Sequence, residues 1–203
     1  MACFFRSTAP RRKYPWGAAI IFFCLQATTA HSEPVTLLFA GDLMLADGPG
    51  RTIAAGGDPL APFAAILNQA DYRIGNLEVP VATSGKPHAS KIVGFRADPR
   101  VVSALHGRFD AVSLANNHSG DYGHDAFVET MRHLANAGIA YFGGGHNLAE
   151  AHRPLWIEKN GLKIAVLGYN EFKPRAFEAG ANWPGVAWSE DDLVIAGIRA
   201  AKA

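Results

Sequence analysis

Four short stretches carry side chains that could move protons or hold a cation: Asp42 after Gly41, Glu78 after Gly75-Asn76-Leu77, the run Asn116-Asn117-His118, and the pair Asn170-Glu171. Carboxylates and amide carbonyls are hard oxygen donors, while an imidazole ligates metals or transfers a proton near neutral pH. Together they suit hydrolysis assisted by acid–base groups or by a divalent ion. Each also has an ordinary explanation. Aspartate at the place of Asp42 closes turns and caps helices. Glu78, between Leu77 and Val79, can be an exposed carboxylate. Asn116-Asn117-His118 can be an Asn-rich turn, and Asp121 with Gly123 can cap the helix that follows.

Other chemistries find little support. The only cysteines are Cys3 and Cys24, both within the first thirty residues, so the body offers no thiol for a disulfide framework or a Cys-ligated zinc site. Any metal is left to oxygen and imidazole ligands. Ser113 and Ser119 lie outside a Gly-x-Ser-x-Gly elbow. Gly143-Gly144-Gly145 lacks both the dinucleotide-binding spacing and the P-loop lysine, and reads as a plain turn. His124, His133, His146 and His152 fall in helix or loop segments without pairing partners and read as surface residues.

The elements needed to position these groups alternate along the chain. Val35–Ala40, Tyr72–Gly75, Asp110–Ala115 and Ile139–Phe142 read as short apolar strands. Between them, Pro59–Gln69, Pro99–His106 and His124–Ala137 have helical periodicity, with Asp98 as an N-cap and Gly138 as a stop signal. Asn160-Gly161 joins Leu155–Glu158 to Leu162–Leu167 as a β-hairpin. A last helix starts after Ser189. This alternation predicts an α/β domain. Asp42, Glu78, Asn117 with His118, and Asn170 with Glu171 all follow predicted strands, so they converge on one rim if the strands run parallel. Asn76, Asn116, Asp121, Asn170 and Glu171 line that rim as candidates for touching substrate.

The chain has 203 residues, is 49% hydrophobic and 18% charged, and carries a formal net charge of +1, which excludes disorder and gives no basic field for nucleic acid. Residues 1–30 hold Arg6, Arg11, Arg12 and Lys13 and no acidic residue, so the remainder has 15 of the 19 basic groups against all 18 acidic ones. That body is mildly acidic. A basic start, the apolar run Trp16–Leu25 and the small residues Ala27–Ala30 have the layout of a secretory signal peptide, with cleavage expected after Ala30 and an uncleaved anchor as the alternative. Ten apolar residues are about half of a bilayer span. Arg11-Arg12 hints at a twin-arginine signal, which Pro15 interrupts. Residues 31–203 form the domain proper, exported to the periplasm, cell surface or medium.

Several blocks together resemble the CapA family of capsule and poly-γ-glutamate synthesis proteins. They are Phe39-Ala40-Gly41-Asp42 with Met44, Gly75-Asn76-Leu77-Glu78, Leu114-Ala115-Asn116-Asn117-His118 with Asp121 and Gly123, Gly143–Gly145 with Asn147, Glu150, Ala151 and Pro154, and Lys163–Gly168. The family is similar to the calcineurin-like metallophosphatases, which implies a two-sheet sandwich flanked by helices with a two-metal site at the strand ends. The resemblance makes Asp42, Glu78 and Asn117 metal ligands and His118 the group that contacts the leaving oxygen. Two departures are visible. The superfamily's Asp-x-His block is here Asp42-Leu43-Met44, and its Gly-Asp-x-x-Asp block is Gly75-Asn76-Leu77-Glu78. Two later imidazole-bearing blocks of the family do not occur within these residues, so the domain is expected to be the N-terminal part of a longer one.

The expected function is that of an exported, metal-dependent phosphoesterase-like hydrolase, using one or two ions of Mn, Fe or Zn on a phosphate ester or an anionic cell-envelope polymer. The rival expectation is an envelope protein that binds or exports such a polymer without turnover. With few imidazoles, residues 31–203 alone are expected to hold an ion loosely, in about the millimolar range, and to be catalytically incompetent. Membrane contact is expected only through an uncleaved leader. Oligomeric state is left open by the sequence.

Overall fold

A computed structural model describes residues 33–88, 93–172 and 175–202. The leader and both cysteines lie outside these residues. Among them, no helix is long and apolar enough to cross a membrane.

Four strands form one parallel sheet in chain order: β1 (Leu37–Asp42), β2 (Tyr72–Asn76), β3 (Ala111–Ser113) and β4 (Ala140–Phe142). Leu37 pairs with Tyr72, Ile74 with Ala111, and Val112 with Tyr141. Parallel pairing requires a crossover after every strand, and the helical segments supply it. After β1 come α1 (Asp47–Ala54) and a 3₁₀ turn, Ala61–Phe63, running into α2 (Ala64–Leu67). A 3₁₀ turn at Pro99–Val101 and α3 (Val102–Leu105) precede β3, and α4 (Gly123–Asn136) precedes β4.

Alternation along the strands divides the core in two. Leu38, Val112 and Leu114 face a helical layer in which Phe127, Met131 and Leu134 of α4 are buried. Ile74, Ala111 and Phe142 face the other way, onto Ile157 and Ile164 of the hairpin β6 (Leu155–Lys159) and β7 (Leu162–Val166). Both faces are covered, as a parallel sheet requires. The result is the metallophosphatase-like α/β architecture expected, with the hairpin forming the second β layer. Asn160 and Gly161 both have positive φ, at 51° and 76°, as a two-residue hairpin turn demands.

Three segments differ from their sequence reading. The Gly- and Pro-rich segment after Asp42, whose composition is that of a loop, is helical as α1, because Pro49 falls in its first turn, where a missing N–H costs nothing. The helix expected over Pro59–Gln69 shrinks to the 3₁₀ turn and the four residues of α2. Gly143–Gly145 is no plain turn. Gly144–Gly145 is a strand, β5, antiparallel to β8 (Gly185–Val186), with α5 (Leu148–Ala151) between them in sequence and α6 (Asp191–Lys202) after β8.

The glycines of β5 are required by packing. A Cβ at Gly144 would lie 2.7 Å from Phe127 Cζ and 3.0 Å from Leu114 Cβ. Gly144→Ala is therefore expected to destabilise the domain by about 1–3 kcal/mol, seen as a melting temperature lower by about 5 °C. An unchanged melt would show that β5 can move off the core.

Candidate active site at the strand ends

The C-terminal ends of β1, β2 and β3 point the same way, so their polar residues meet on one rim. Asp42 closes β1 and is exposed; Asn76 closes β2 opposite it in the pairing register. The Leu43 N–H donates to the Asn76 carbonyl at 2.7 Å, and the Leu77 N–H donates to the Ser113 carbonyl at 3.0 Å, so the ladder continues past the strands and fixes the loops that follow.

Side-chain amides connect the rim. The Asn76 Nδ2 group donates to Asp42 Oδ1 at 2.8 Å and to Glu78 Oε2. Asn116, 6% exposed, donates from Nδ2 to Asn76 Oδ1 at 3.0 Å and to the Leu77 carbonyl at 2.9 Å. The Asn116 Oδ1 accepts the backbone N–H groups of His118 and Ser119 at 3.0 and 2.9 Å and the Ser119 hydroxyl at 3.1 Å. Burial pushes the Glu78 carboxyl above its ordinary value and the neighbouring Asp42 carboxylate adds to this, against the opposing Asn76 bond and the His118 charge.

His118 has a separate support. Its Nδ1 lies 2.8 Å from Asp121 Oδ2, and Asp121 is wholly buried. The same carboxylate oxygen accepts the Phe95 N–H at 2.8 Å. An ionised carboxylate only accepts, so Nδ1 carries the proton in this bond and Nε2 is the nitrogen left for chemistry. The Phe95 ring lies against the imidazole, 5.0 Å between centroids. His118 keeps 21% of its side chain exposed, enough to meet a ligand.

The structure thus brings Asp42, Asn76, Glu78, Asn116, His118 and Asp121 into one connected rim, with Asn117 half-buried between Asn116 and His118. Asp121 and Asn116, expected to face substrate, are buried and act through His118 and Asn76. Asn170 and Glu171 are not joined to the rim by any hydrogen bond among the described residues. Asn170 accepts the Phe172 N–H at 3.1 Å, and its backbone bridges to Trp188. Glu171 is exposed. The surface reading fits the exposed His124 and His146 but not His133, which is half-buried with Nε2 3.2 Å from Glu129 Oε1, nor His152, whose ring nitrogens are buried without a hydrogen-bond partner beside Tyr169.

Sequence reasoning missed the clamp behind the rim. Glu129 of α4 accepts the N–H groups of Thr83 and Ser84 at 3.2 and 2.9 Å and both their hydroxyls, the Thr83 hydroxyl at 3.1 Å. Thr130 accepts the Val81 N–H at 2.8 Å. No local signal announces a contact between residues 45 positions apart.

Among the described residues no three His, Cys, Asp or Glu side chains converge as a ready metal cluster. The Asp42 and Glu78 carboxylates, tied together by the Asn76 amide, are hard oxygen donors of the kind that suits a divalent ion.

A parallel sheet with its acid, amide and imidazole groups at the strand C-termini is the metallophosphatase-like class of α/β protein. The profile of the bacterial capsule synthesis protein family PGA_cap matches residues 36–203, and the chain belongs to that family. It is 28% identical over 179 residues to the PGA biosynthesis protein CapA of Bacillus subtilis, covering 86% of this chain and 47% of that protein. It is 28% identical over 184 residues to the capsule biosynthesis protein CapA of Bacillus anthracis, covering 84% and 43%. A probable polyglutamine synthesis accessory protein of Mycobacterium tuberculosis is 32% identical over 121 residues, 57% of this chain and 32% of its own. The chain spans a little under half the length of the two Bacillus relatives.

Proposed function

We propose that the protein works in the synthesis or processing of a capsule polymer of the poly-γ-glutamate class, as an exported hydrolase whose proton-transfer group is His118. The observation that carries this reading is the His118–Asp121 pair at the strand-end rim. Asp121 fixes the ring's orientation and tautomer and stabilises the imidazolium, so that Nε2 can give a proton to the leaving nitrogen or oxygen. The relatives named for capsule and poly-γ-glutamate biosynthesis supply the polymer.

Asp42 and Glu78, with the Asn117 carbonyl, would hold a single Mn, Fe or Zn ion, which supplies polarisation of the scissile carbonyl or phosphoryl group. An ion also answers an electrostatic difficulty. A polyanion approaching Asp42 and Glu78 is repelled unless a cation lies between them. The basic, then apolar, then small-residue leader supports export.

The test is a bacterium deleted for the gene and complemented with wild type or His118→Ala, with polymer chain length and yield measured alongside the N-terminus of the exported protein. The expected result is shortened polymer only with wild type, and a mature chain beginning near His31. Polymer binding that survives both His118→Ala and chelation, with chain length unaffected by either, would replace the hydrolase with a polymer-binding envelope protein.

A further inference from the structure

The rim contains a relay of amides whose direction is fixed from one end. The backbone N–H groups of His118 and Ser119 can only donate, so the atom of the Asn116 side chain that meets them must be its oxygen. Its nitrogen then faces two acceptors, the Leu77 carbonyl and Asn76 Oδ1. Asn76 is thereby oriented in turn, with its oxygen committed to Asn116 and its NH₂ group aimed at Asp42 and Glu78. Rotating the Asn76 amide by half a turn would set two NH₂ groups face to face and its one oxygen against two carboxylates. That leaves these groups mispaired at a half-buried site, a cost the backbone donors cannot relieve.

We propose that Asn76 is an amide lock: its pinned NH₂ group takes the place of a cation between Asp42 and Glu78, keeping the carboxylate pair assembled without an ion and limiting the rim to one. The inference rests on the metal-assisted reading above, and it assigns Asn76 the role of setting ion count. Two like charges sharing one NH₂ group are partly neutralised by its two N–H dipoles. The same dipoles repel a cation from the space between the carboxylates, so an ion must use the oxygens turned away from Asn76. Asn76 is set to donate toward the carboxylates, because its oxygen is directed to the Asn116 NH₂ group and its own NH₂ group to Asp42 and Glu78.

Replacing Asn76 separates these effects. Asn76→Asp exchanges the donor for a third carboxylate at the same place, whereas Asn76→Ala removes the donor and adds no charge. Each purified protein is melted in EDTA and in Mn²⁺, and Mn²⁺ binding is measured by calorimetry. In EDTA both variants are expected to melt about 4 °C or more below wild type. Wild type is expected to take up no more than one equivalent of Mn²⁺. Asn76→Asp is expected to bind Mn²⁺ at least about tenfold more tightly than wild type, since ion affinity in oxygen sites follows ligand charge, and to recover its melting temperature in Mn²⁺. Asn76→Ala is expected to do neither.

An Asn76→Ala protein as stable in EDTA as wild type overturns the lock, as does a wild type holding two equivalents of Mn²⁺. If Asn76→Asp folds only in Mn²⁺, the lock is supported in its strongest form. If no variant and no wild type binds Mn²⁺ while Asn76→Ala still melts low, the amide lock stands and the metal-assisted reading fails instead.

Discussion

His118→Ala is expected to reduce polymer cleavage by about 10²–10⁴-fold, which in a complemented strain is indistinguishable from deletion. Asp121→Asn should approach the same loss by another route. With its amide oxygen at the place of Oδ2 the asparagine keeps the shape and still accepts the Phe95 N–H, but it no longer carries the charge that stabilises the imidazolium. The two variants differ in a way that separates chemistry from folding. His118 is partly exposed and its loss is expected to leave the melting temperature within about 2 °C. Asp121 is wholly buried, so Asp121→Asn should also lower it. Full polymer processing by Asp121→Asn would remove the buried carboxylate from the mechanism and leave His118 acting alone.

Glu129→Ala should be the most damaging single change to stability outside the hydrophobic core, at about 3–4 kcal/mol. Glu129 is 8% exposed and takes four donors from Thr83 and Ser84, with His133 3.2 Å away. Its removal orphans two backbone N–H groups and frees the segment that begins at Glu78. Burial alone would raise the Glu129 carboxyl, but the bonds from Ser84, Thr83 and His133 outweigh it and hold the group far below the ordinary carboxylate value of 4.5. The sign follows from linkage. A depressed folded-state pKa contributes stability that is fully present above about pH 4.5 and is lost as pH falls below it, because the unfolded chain takes up the proton first. The gap in denaturant midpoint between wild type and Glu129→Gln should therefore be wide at pH 7 and narrow at pH 3. A constant gap at both values would mean that the carboxylate's charge contributes nothing to the clamp.

The clamp also bears on the site. Asn116 fixes Leu77 from one side, and Glu129 with Thr130 fixes Val81–Ser84 from the other. Glu78 lies between the two anchors. Loosening either is expected to enlarge the range of positions open to its carboxylate, so Glu129→Gln should weaken ion binding as well as folding.

Residue order in the sequence was enough to define the alternation of strands and helices and the hairpin at Asn160-Gly161, because these follow from local periodicity, while the convergence of polar groups on one rim depended on the strands running parallel, as the structure has them. Asp42, Glu78, Asn117 and His118 stood out because each follows an apolar strand, and parallel strands send their side chains to one edge. The helix at Asp47–Ala54 was hidden by Gly48, Pro49 and Gly50, whose low propensity is overridden by packing of Leu45, Ala46 and Ile53 against the core. The strand character of Gly144–Gly145 was hidden likewise, since it exists through pairing with residues some forty positions on. What only the tertiary structure decided is the direction of each hydrogen bond. A sequence cannot tell whether an asparagine presents oxygen or nitrogen, or whether an aspartate meets solvent or an imidazole, because those choices are made by donors and acceptors brought up from distant segments. Asn76, Asn116 and Asp121 were legible as rim residues, and their roles as lock, relay and histidine partner were set by backbone N–H groups that point one way only.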